Sequence, residues 1–491
     1  MRLGELARAL AGAELHGEAS LEIGTVTHDS RHCDEGCLFV AIRGLAADGN
    51  DFVAAARSKG AAAVVSEEPP RGDVPWVRVS DAREALALLS AAVLGHPGRE
   101  LDLVGVTGTN GKTTTAYMID SALREAGNTV GLIGTVEHRV GDRVREAVRT
   151  TPEASDLQSY LRQMVDEGCR RAVLEVSSHS LALKRVHGLE FAVGVFTNLS
   201  RDHLDFHGDM DSYFGVKRIL FDSLLREDGR AVINVDDDRG AELARTITRP
   251  VSSCSLSSGA DFTAEEIHLS LDGTRFRART PAGAFEMQTP LLGRFNVLNA
   301  LCAFGSGLAL GLPPDAVQRG IASLKGVPGR IERVDVGQDF TVLVDYAHTD
   351  DALKNLLESV RELRPRRLIT VFGCGGDRDQ SKRPLMGAVA SRLSDVVILT
   401  SDNPRSEPPE AIIEDVRRGI PAARTDETQV ITDRREAIAR ALELGREGVV
   451  IVIAGKGHET HQVLRDRKVP FDDRQVVREM LARPAGAGGK R

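Results

Sequence analysis

The chain is 491 residues long, has a formal net charge of −8, and consists of 42% hydrophobic and 27% charged residues. This length suits about three domains, and the composition is typical of a folded globular protein rather than a disordered one. The acidic balance argues against nonspecific binding to nucleic acid or to a membrane surface, because both need a basic face.

No segment has the character of a membrane anchor or a secretion signal. The first residues include Glu5 and contain no long apolar core. No stretch elsewhere reaches the ~18 apolar residues that cross a bilayer. Six scattered cysteines in so long a chain indicate reduced thiols. We therefore predict a cytoplasmic protein with no membrane or nucleic acid partner, and we expect a monomer.

The first 98 residues predict a small α/β domain. A strand-like run at 38–42 precedes an alanine-rich helical stretch that begins at Phe52, and a second strand-like run follows at 61–65. Turn residues at 94–98 then indicate a domain boundary.

The segment 101–115 combines a strand, a glycine-rich turn and a helix. An apolar run ends in Gly-Thr-Asn-Gly-Lys-Thr at 108–113, before a helical pattern. Such glycines let the backbone approach a polyphosphate, Lys112 reaches the terminal phosphates, and Thr113 can hold Mg²⁺. The common pattern has another glycine where this chain has Val106. The segment predicts a nucleoside triphosphate site, and the alternative is a turn that binds nothing.

Strand and helix patterns alternate through the rest of the chain, which predicts mostly parallel sheets covered by helices. The strand candidates are 171–176, 191–197 and 230–235, then 340–345, 368–372, 396–400 and 448–453. Helices are predicted over 296–312 and 314–324, and a Gly-Val-Pro-Gly interruption follows at 326–329. The tail at 483–491 predicts a frayed end.

The prediction is therefore an α/β fold of three domains. A central P-loop parallel-sheet ATPase domain at 99–327 is flanked by the small N-terminal α/β domain at 1–98 and by a C-terminal Rossmann-like α/β domain at 328–491.

Two central segments place charged groups in or after apolar strands. Glu175 lies inside an apolar run, and burying a carboxylate is costly unless a cation such as triphosphate-bound Mg²⁺ compensates it. The alternative is an edge-strand glutamate that faces water. The segment 196–208 is too rich in Asp and His for an ordinary connector, and its His203 could complete a metal site with Glu175.

Four polar sets in the C-terminal part each follow a strand candidate. They lie at 345–348, 373–379, 401–407 and 455–459. Because the C-terminal ends of parallel strands meet at one edge of a sheet, we expect these sets to line a single cleft that faces the central domain. Arg378 and Arg405 suit a substrate with a carboxylate, since guanidinium pairs with carboxylate bidentately.

Taken in order, these motifs resemble the Mur ligase family over nearly the whole chain. The resemblance rests on the runs at 108–114, 175–179, 197–205, 345–348, 373–379 and 455–459. It implies an ATP-dependent ligase of peptidoglycan synthesis that forms an amide bond. In such a reaction ATP phosphorylates the D-Glu γ-carboxylate of UDP-N-acetylmuramoyl-L-Ala-D-Glu. An amine then attacks the acyl phosphate, and ADP and phosphate are released.

The resemblance also implies Mg²⁺ and a modified lysine. In the family a central-domain lysine is carbamylated by CO₂, and Lys217 matches its position. The carbamate would give an anionic oxygen ligand beside Glu175 and His203, and Thr113 would be a further metal ligand. The catalytic residues implied are Lys112, Lys217 and His203.

Further residues are assigned by position in the family pattern. For ATP they are Gly108, Thr109, Asn110, Gly111, Lys112, Thr113, Thr114, Asn296, Arg330 and Asp345. For the UDP-linked substrate they are His28, Ser30, Leu45, Ala46, Ala47, Thr150, Thr151, Ser177 and Arg185. Arg149, Leu183 and Asp350 depart from the pattern, and the last is expected to alter only the start of a helix.

The run 402–405, Asp-Asn-Pro-Arg, decides the expected amino acid. In the family this run accompanies meso-2,6-diaminopimelate, whose distal carboxylate can pair with Arg405, whereas lysine lacks that carboxylate. The diaminopimelate residues implied are Arg378, Asp402, Asn403, Pro404, Arg405, Gly455 and Glu459. The alternatives are L-lysine as acceptor, a folylpolyglutamate-type or other Mur-type ligase, and a nucleotide-binding regulatory protein that forms no amide.

Overall fold

The computed structural model describes residues 1–44 and 47–482, and three large β-sheets follow one another along the chain. The contacts expected at Leu45 and Ala46 and the end expected to fray at 483–491 lie outside the described residues. Within the described ranges, no helix is long and apolar enough to cross a membrane.

The first sheet has five strands in the order β1-β5-β4-β3-β2, and β1 pairs antiparallel with β5 while the other pairs are parallel. The strands are β1 (Glu14–His16), β2 (Thr25–Thr27), β3 (Cys37–Val40), β4 (Ala61–Ser66) and β5 (Trp76–Arg78). The helices are α1 (Leu3–Arg8), α2 (Val53–Ser58) and α3 (Ala82–Val93), with short 3₁₀ turns at Ser30–His32 and Gly49–Phe52. Leu86 and Leu89 of α3 pack on the buried β3 and β4, so this sheet has its own apolar core.

The second sheet has eleven strands in the order β16-β15-β14-β13-β12-β11-β6-β10-β7-β8-β9. Its first strands are β6 (Asp102–Thr107), β7 (Val130–Ile133), β8 (Glu137–Val140), β9 (Arg143–Glu146), β10 (Arg171–Glu175) and β11 (Phe191–Phe196). The rest are β12 (Leu225–Asn234), β13 (Val251–Ser255), β14 (Phe262–Ser270), β15 (Gly273–Thr280) and β16 (Gly283–Thr289).

Helices cover both faces of this sheet. They are α4 (Lys112–Glu125), α5 (Ala154–Asp166), α6 (Ser178–Ala182), α7 (Leu204–His207), α8 (Met210–Asp222), α9 (Asp238–Thr246), α10 (Arg294–Ala309) and α11 (Pro314–Ala322), after a 3₁₀ turn at Pro97–Glu100. One apolar cluster joins α4, α10 and α11 to the sheet, and another joins α5 and α8 to it. The two clusters make β6, β10 and β11 fully buried central strands.

The central sheet is mostly parallel, as predicted, and it carries additional antiparallel strands at both edges. The strands from β14 through β6 to β7 pair in parallel, but β15 and β16 at one edge and β8 and β9 at the other pair antiparallel. These edge strands are partly exposed and rich in charged residues. They therefore lack the continuous apolar runs that reveal buried parallel strands.

The third sheet has six strands in the order β17-β18-β22-β19-β20-β21, of which β17 alone pairs antiparallel. The strands are β17 (Glu332–Val334), β18 (Thr341–Asp345), β19 (Arg367–Phe372), β20 (Val396–Leu399), β21 (Thr428–Val430) and β22 (Val449–Ala454), and a separate hairpin consists of β23 (His461–Val463) and β24 (Lys468–Pro470). The helices are α12 (Asp350–Glu362), α13 (Lys382–Leu393), α14 (Pro409–Arg417), α15 (Arg434–Glu443) and α16 (Asp473–Leu481), with a 3₁₀ turn at Ala422–Glu427. Apolar clusters on both faces enclose the sheet.

Candidate active site

The glycine-rich turn between β6 and α4 has a backbone that only glycine can adopt at two positions. Gly108 and Gly111 have φ of +146° and +86°. A Cβ at Gly108 would lie 1.9 Å from Thr197 Oγ1, and a Cβ at Gly111 would lie 2.5 Å from Asn299 Oδ1. Val106, where the common pattern has glycine, is a buried residue of β6 itself. The turn is therefore shorter than the common one, and α4 begins directly at Lys112.

The end of β11 holds this turn in place. Asn198 Oδ1 accepts a hydrogen bond from the Asn110 backbone N–H at 2.8 Å, and Asn198 Nδ2 donates to the Asn110 carbonyl at 3.1 Å. Thr197 Oγ1 donates to the same carbonyl at 2.6 Å. Because the partners are fixed before any ligand binds, the turn is a preformed cradle for an anion.

Two lysines converge on one carbonyl of the turn. Lys112 Nζ lies 3.0 Å from the Gly108 oxygen, and Lys217 Nζ lies 2.8 Å from the same oxygen. Burial, and then the charge of Lys112, hold the pKa of Lys217 well below the ordinary value for lysine. The side chain of Lys217 is 1% exposed, and its amine lies 4.6 Å from the centre of the Tyr213 ring. The neutral form of Lys217 is thus favoured more than that of an exposed lysine.

Glu175 is fully buried at the end of β10 and is surrounded by hydroxyl and amide donors. Thr113 Oγ1 donates to its Oε2 at 2.9 Å, and Thr135 donates from its backbone N–H at 2.8 Å and from its hydroxyl at 2.9 Å. Arg330 Nη2 in turn donates to Thr113 Oγ1 at 3.1 Å. The alternative of an edge glutamate that faces water is wrong, because β10 is a central strand.

These groups face one cavity of about 300 Å³ between the second and third sheets. Among the residues assigned to ATP, metal or the UDP-linked substrate, those that line it are Thr109, Asn110, Gly111, Lys112, Thr113, Thr114, Thr150, Glu175, Ser177, His203, Asn296, Arg330 and Asp345. Gly108 of the turn and Lys217, which donates to its carbonyl, are not among the described residues that line the cavity. Tyr346 and His348 complete the wall from the C-terminal side.

The oxygen donors of this cavity fit Mg²⁺. Thr113 and Glu175 supply hard oxygen ligands 2.9 Å apart, and Mg²⁺ commonly takes one or two protein oxygens and completes its shell with phosphate and water. Throughout residues 1–44 and 47–482, no group of three or more His, Cys, Asp or Glu side chains is arranged to hold a metal ion.

His203 faces the same cavity from a strained backbone position. Its φ is +54°, and its Nε2 lies 3.4 Å from Asp202 Oδ2. Burial lowers the pKa of His203 to about 4, so the imidazole is neutral near pH 7 and keeps a nitrogen lone pair. A neutral imidazole is the form of histidine that binds a metal.

The residues assigned to the UDP-linked substrate fall into two groups. Thr151 Oγ1 donates to the Glu175 carbonyl at 2.7 Å and lies 3.3 Å from Ser177 Oγ, and Arg185 Nη1 donates to the Thr151 carbonyl at 3.1 Å. Together with Thr150, which lies 3.1 Å from the Thr135 hydroxyl, they form one cluster beside Glu175. The second group is N-terminal: His28, Ser30 and Ala47.

His28 and α5 connect these two groups. His28 Nδ1 lies 3.3 Å from Ser155 Oγ at the start of α5, and Arg185 pairs at 2.8 Å with Glu153, which precedes that helix. Ser30 begins a 3₁₀ turn capped by Asp29, and Ala47 accepts a bond from the Gly44 N–H at 2.8 Å. The structure thus links His28 to the group beside Glu175 and leaves Ser30 and Ala47 in connecting segments of the N-terminal part.

We call the residues assigned to diaminopimelate the amino-acid cluster: Arg378, Asp402, Asn403, Pro404, Arg405, Gly455 and Glu459. Asn403 Nδ2 donates to Glu459 Oε2 at 2.8 Å, and a Cβ at Gly455 would lie 2.5 Å from Asp402 Oδ2. Arg405 Nη1 donates to the Gly376 carbonyl at 2.8 Å. Burial, followed by the charge of Arg378, lowers the pKa of Arg405 below its ordinary value, so an anion placed there would be stabilised.

Of the four C-terminal motifs, which were expected to line a single cleft, one contributes to the wall of this cavity. The cavity wall contains the motif at 345–348 but none of the amino-acid cluster, within the part of the chain that is described. The two sites meet at Tyr346, whose ring lies 5.0 Å from that of His458, the neighbour of Glu459. The other three motifs follow β19, β20 and β22, which pair in parallel in one sheet with β18. All four motifs therefore lie at the same edge of the third sheet, as the strand-end argument predicts.

Direct contacts join α12 to the phosphate-binding side. Asn110 Nδ2 donates to Asp351 Oδ2 at 3.0 Å, and Arg201 Nη2 lies 3.3 Å from Asp350 Oδ1. Asp350 does begin α12, as its departure from the family pattern suggested, with Thr349 as the N-cap. The expectation that this departure alters only the helix start is incomplete, because the carboxylate also pairs with Arg201.

Sequence reasoning gave no role to three residues that organise the site. Thr135 makes two bonds to Glu175, Asn198 fixes the glycine-rich turn, and Lys456 lies buried in the amino-acid cluster. Thr135 and Asn198 each follow the end of a buried parallel strand, and that position was the available signal. Lys456 follows the buried strand β22 in the same way, but it was given no role because a lysine in a glycine-rich turn is usually exposed.

Stability should depend on pH through the histidines around both sites. The pKa values of five such histidines are lowered to about 4, and desolvation by burial is the largest cause in each. These histidines are His179, His203, His207, His348 and His458. Histidine in an unfolded chain has a pKa of about 6.5. Between about pH 4 and 6.5 the unfolded chain therefore binds more protons than the folded chain. We expect the urea midpoint to fall as the pH decreases from 6.5 toward 4.

Two variants check the source of this pH dependence. His458→Gln should make the decline shallower, and His268→Gln, on the exposed face of β14, should leave it unchanged. A urea midpoint that is constant across this range in the unsubstituted protein would show that these five half-buried histidines do not control it.

Comparisons with known proteins match three parts of the chain to family descriptions. Residues 22–93 match the description Mur ligase family, catalytic domain, residues 106–307 match Mur ligase middle domain, and residues 329–457 match Mur ligase, glutamate ligase domain. The chain is 50% identical over 467 residues to UDP-N-acetylmuramoyl-L-alanyl-D-glutamate--2,6-diaminopimelate ligase of Solibacter usitatus (strain Ellin6076), covering 94% of each.

Two further similarities span nearly the full length. The protein of the same name from Geobacter metallireducens is 48% identical over 498 residues, with 97% of this chain and 98% of the relative covered. A solved structure of a ligase with that name is 33% identical, covers 98% of both chains and superposes with a TM-score of 0.69. The three-domain architecture is therefore shared with proteins of this kind.

Proposed function

This chain belongs to the Mur ligase family of ATP-dependent ligases, and we propose that it joins meso-2,6-diaminopimelate to the D-Glu γ-carboxylate of UDP-N-acetylmuramoyl-L-Ala-D-Glu. The observation that carries the proposal is the shared cavity wall. Lys112, Thr113 and Glu175 on the central side face Arg330 and Asp345 on the C-terminal side. Phosphate activation and amino-acid binding can then take place at neighbouring sites.

ATP would bind with its phosphates on the turn at 108–114. Backbone N–H groups and the N-terminus of α4 stabilise the negative charge, and Lys112 lies where it can reach the terminal phosphates. Bound Mg²⁺, held by Thr113 and Glu175, would neutralise phosphate charge. Arg330, which already donates to Thr113, would orient the nucleotide from the opposite wall.

The chemistry would proceed in two substitutions. A γ-carboxylate oxygen of D-Glu attacks the terminal phosphorus of ATP, the bond to the bridging oxygen breaks, and ADP leaves. The neutral amine of diaminopimelate then attacks the acyl carbon, the bond to phosphate breaks, and the amine loses a proton. Phosphoryl transfer of this kind depends mainly on positioning and electrostatics, which the preformed turn supplies.

The lowered pKa of Lys217 fits its proposed carbamylation. A neutral amine is the form that combines with CO₂, and burial together with Lys112 favours that form. A carbamate would place a negative charge beside Lys112, which would offset the repulsion between the two lysines. Its oxygens, together with Glu175 and His203, are the ligands that we propose for a second Mg²⁺.

The acceptor is proposed from the amino-acid cluster. Arg405 is partly buried, has a lowered pKa and makes one described hydrogen bond to a neutral carbonyl. A carboxylate at the distal end of diaminopimelate would give it a bidentate partner, whereas lysine would leave it without one. The monomeric state and the cytoplasmic location expected from the sequence stay predictions.

The acyl-phosphate step is tested with a heavy-oxygen label. The γ-carboxylate of the D-Glu residue is labelled, and the purified protein is incubated with ATP, Mg²⁺ and diaminopimelate. We expect one labelled oxygen in the released phosphate for each amide formed, because the carboxylate oxygen stays on phosphorus. Unlabelled phosphate with full amide formation would contradict the proposed route.

A further inference from the structure

Lys456 is buried in the amino-acid cluster, and none of the roles described above uses it. Its side chain is 0% exposed. Its Nζ donates to Asn403 Oδ1 at 3.2 Å, to Glu459 Oε2 at 2.9 Å and to the His461 carbonyl at 2.7 Å. An ammonium group has three N–H donors, so these three acceptors use all of them.

Each acceptor lies on a different segment of the C-terminal part. Asn403 follows β20, Glu459 follows β22, and His461 begins the hairpin of β23 and β24. The hairpin is bonded to the same loop a second time, since the Val463 N–H donates to Asn403 Oδ1 at 2.9 Å and the Arg405 N–H donates to the Val463 carbonyl at 3.1 Å. Lys456 therefore lies where two substrate motifs and the hairpin meet.

The contact with Lys456 also orients the Glu459 carboxylate. Its Oε2 accepts from both Lys456 and Asn403 Nδ2, while Oε1 takes part in none of the described protein hydrogen bonds. The side chain is 25% exposed. Although burial alone would raise it, Lys456 and Asn403 hold the pKa of Glu459 below its ordinary value. Glu459 therefore presents an ionised oxygen that can accept from an ammonium group.

We propose that Lys456 is a positioning residue for the amino-acid acceptor: its ammonium fixes the Glu459 carboxylate, the Asn403 amide and the β23–β24 hairpin as one preformed site for a zwitterion. Lys456 cannot touch the substrate itself because it is fully buried. The proposal rests on the proposed function, since it concerns the acceptor of that reaction. A preformed site lowers the entropy cost of ordering side chains on binding. The loss of Lys456 should therefore weaken the affinity for the amino acid.

The test compares Michaelis constants for the three substrates. Lys456→Met removes all three donors, and we expect the KM for diaminopimelate to rise roughly tenfold or more, as for the loss of hydrogen bonds to a charged group. The KM values for ATP and for the UDP-linked substrate should stay unchanged. Lys456→Gln keeps two donors and should give an intermediate value. Lys468→Met, an exposed change on the same hairpin, is the matched control.

An unchanged KM for diaminopimelate in Lys456→Met would overturn the proposal, and so would a parallel rise in all three constants, which indicates a general structural role. If that variant does not fold, hydrogen exchange of the unsubstituted protein decides. Diaminopimelate should slow exchange in 401–405 and 459–463 together, and protection of one segment alone would overturn the proposal. If the unsubstituted protein forms no amide, the proposed function fails, while hydrogen exchange still tests Lys456.

Discussion

Lys217→Ala is expected to lower turnover by about 10²–10³-fold. Removing one group that stabilises the charge developing in a transition state has an effect of this size. The amine is buried and shares the Gly108 carbonyl with Lys112. Removing it removes the group proposed to carry the carbamate and therefore an anionic ligand for Mg²⁺. Formate, acetate or propionate should restore part of the activity by placing a carboxylate in the vacated space.

Controls separate this chemical role from simple packing. Arg218→Ala, one residue further along α8, removes an ion pair with Asp222 at the surface and should leave turnover near that of the unsubstituted protein. Carbon-labelled bicarbonate should give a carbamate resonance in the unsubstituted protein and none in Lys217→Ala. Full turnover in Lys217→Ala without added carboxylate, or the same resonance in both proteins, would contradict the proposal.

Arg405→Met is expected to lower kcat/KM for meso-2,6-diaminopimelate by roughly 10²-fold or more, because the distal carboxylate would be left without its charged partner. The backbone at Arg405 is in the left-handed region with φ of +52°, and its N–H is bonded to the Val463 carbonyl. These contacts fix the direction of the side chain. Use of L-lysine should be affected far less, since lysine has no distal carboxylate to lose.

The matched control is Arg418→Met, which removes an arginine with 69% side-chain exposure from the end of α14. Its kinetic constants for both amino acids should equal those of the unsubstituted protein. If Arg405→Met lowered the use of diaminopimelate and of L-lysine equally, Arg405 would not be the group that recognises the distal carboxylate.

The sequence predicts the parts of the fold that are marked by continuous apolar runs. The strand before the glycine-rich turn, Glu175 at the end of β10 and the motif at 345–348 lie together as the strand-end argument requires. The antiparallel strands β8, β9, β15 and β16 were missed because their charged, partly exposed residues are typical of loops as well. The proposed domain limits stay predictions.

Contacts between segments that are distant in the chain could not be predicted from the sequence. Thr135 is recognisable as a hydrogen-bond donor to Glu175 only once β7 and β10 are known to be neighbours in the sheet. Lys456 looks like a solvated lysine until the loop after β20 and the β23–β24 hairpin enclose it. The order of the strands in the third sheet, with β22 between β18 and β19, is likewise encoded by no local pattern.

A competition between the two amino acids tests the central claim most directly. The purified protein is incubated with ATP, Mg²⁺, UDP-N-acetylmuramoyl-L-Ala-D-Glu and equal concentrations of meso-2,6-diaminopimelate and L-lysine, and the nucleotide products are identified by mass spectrometry. We expect the diaminopimelate product in large excess, with one ADP and one phosphate formed for each amide. A product that contains mainly lysine, or no amide product with either amino acid, would contradict the account.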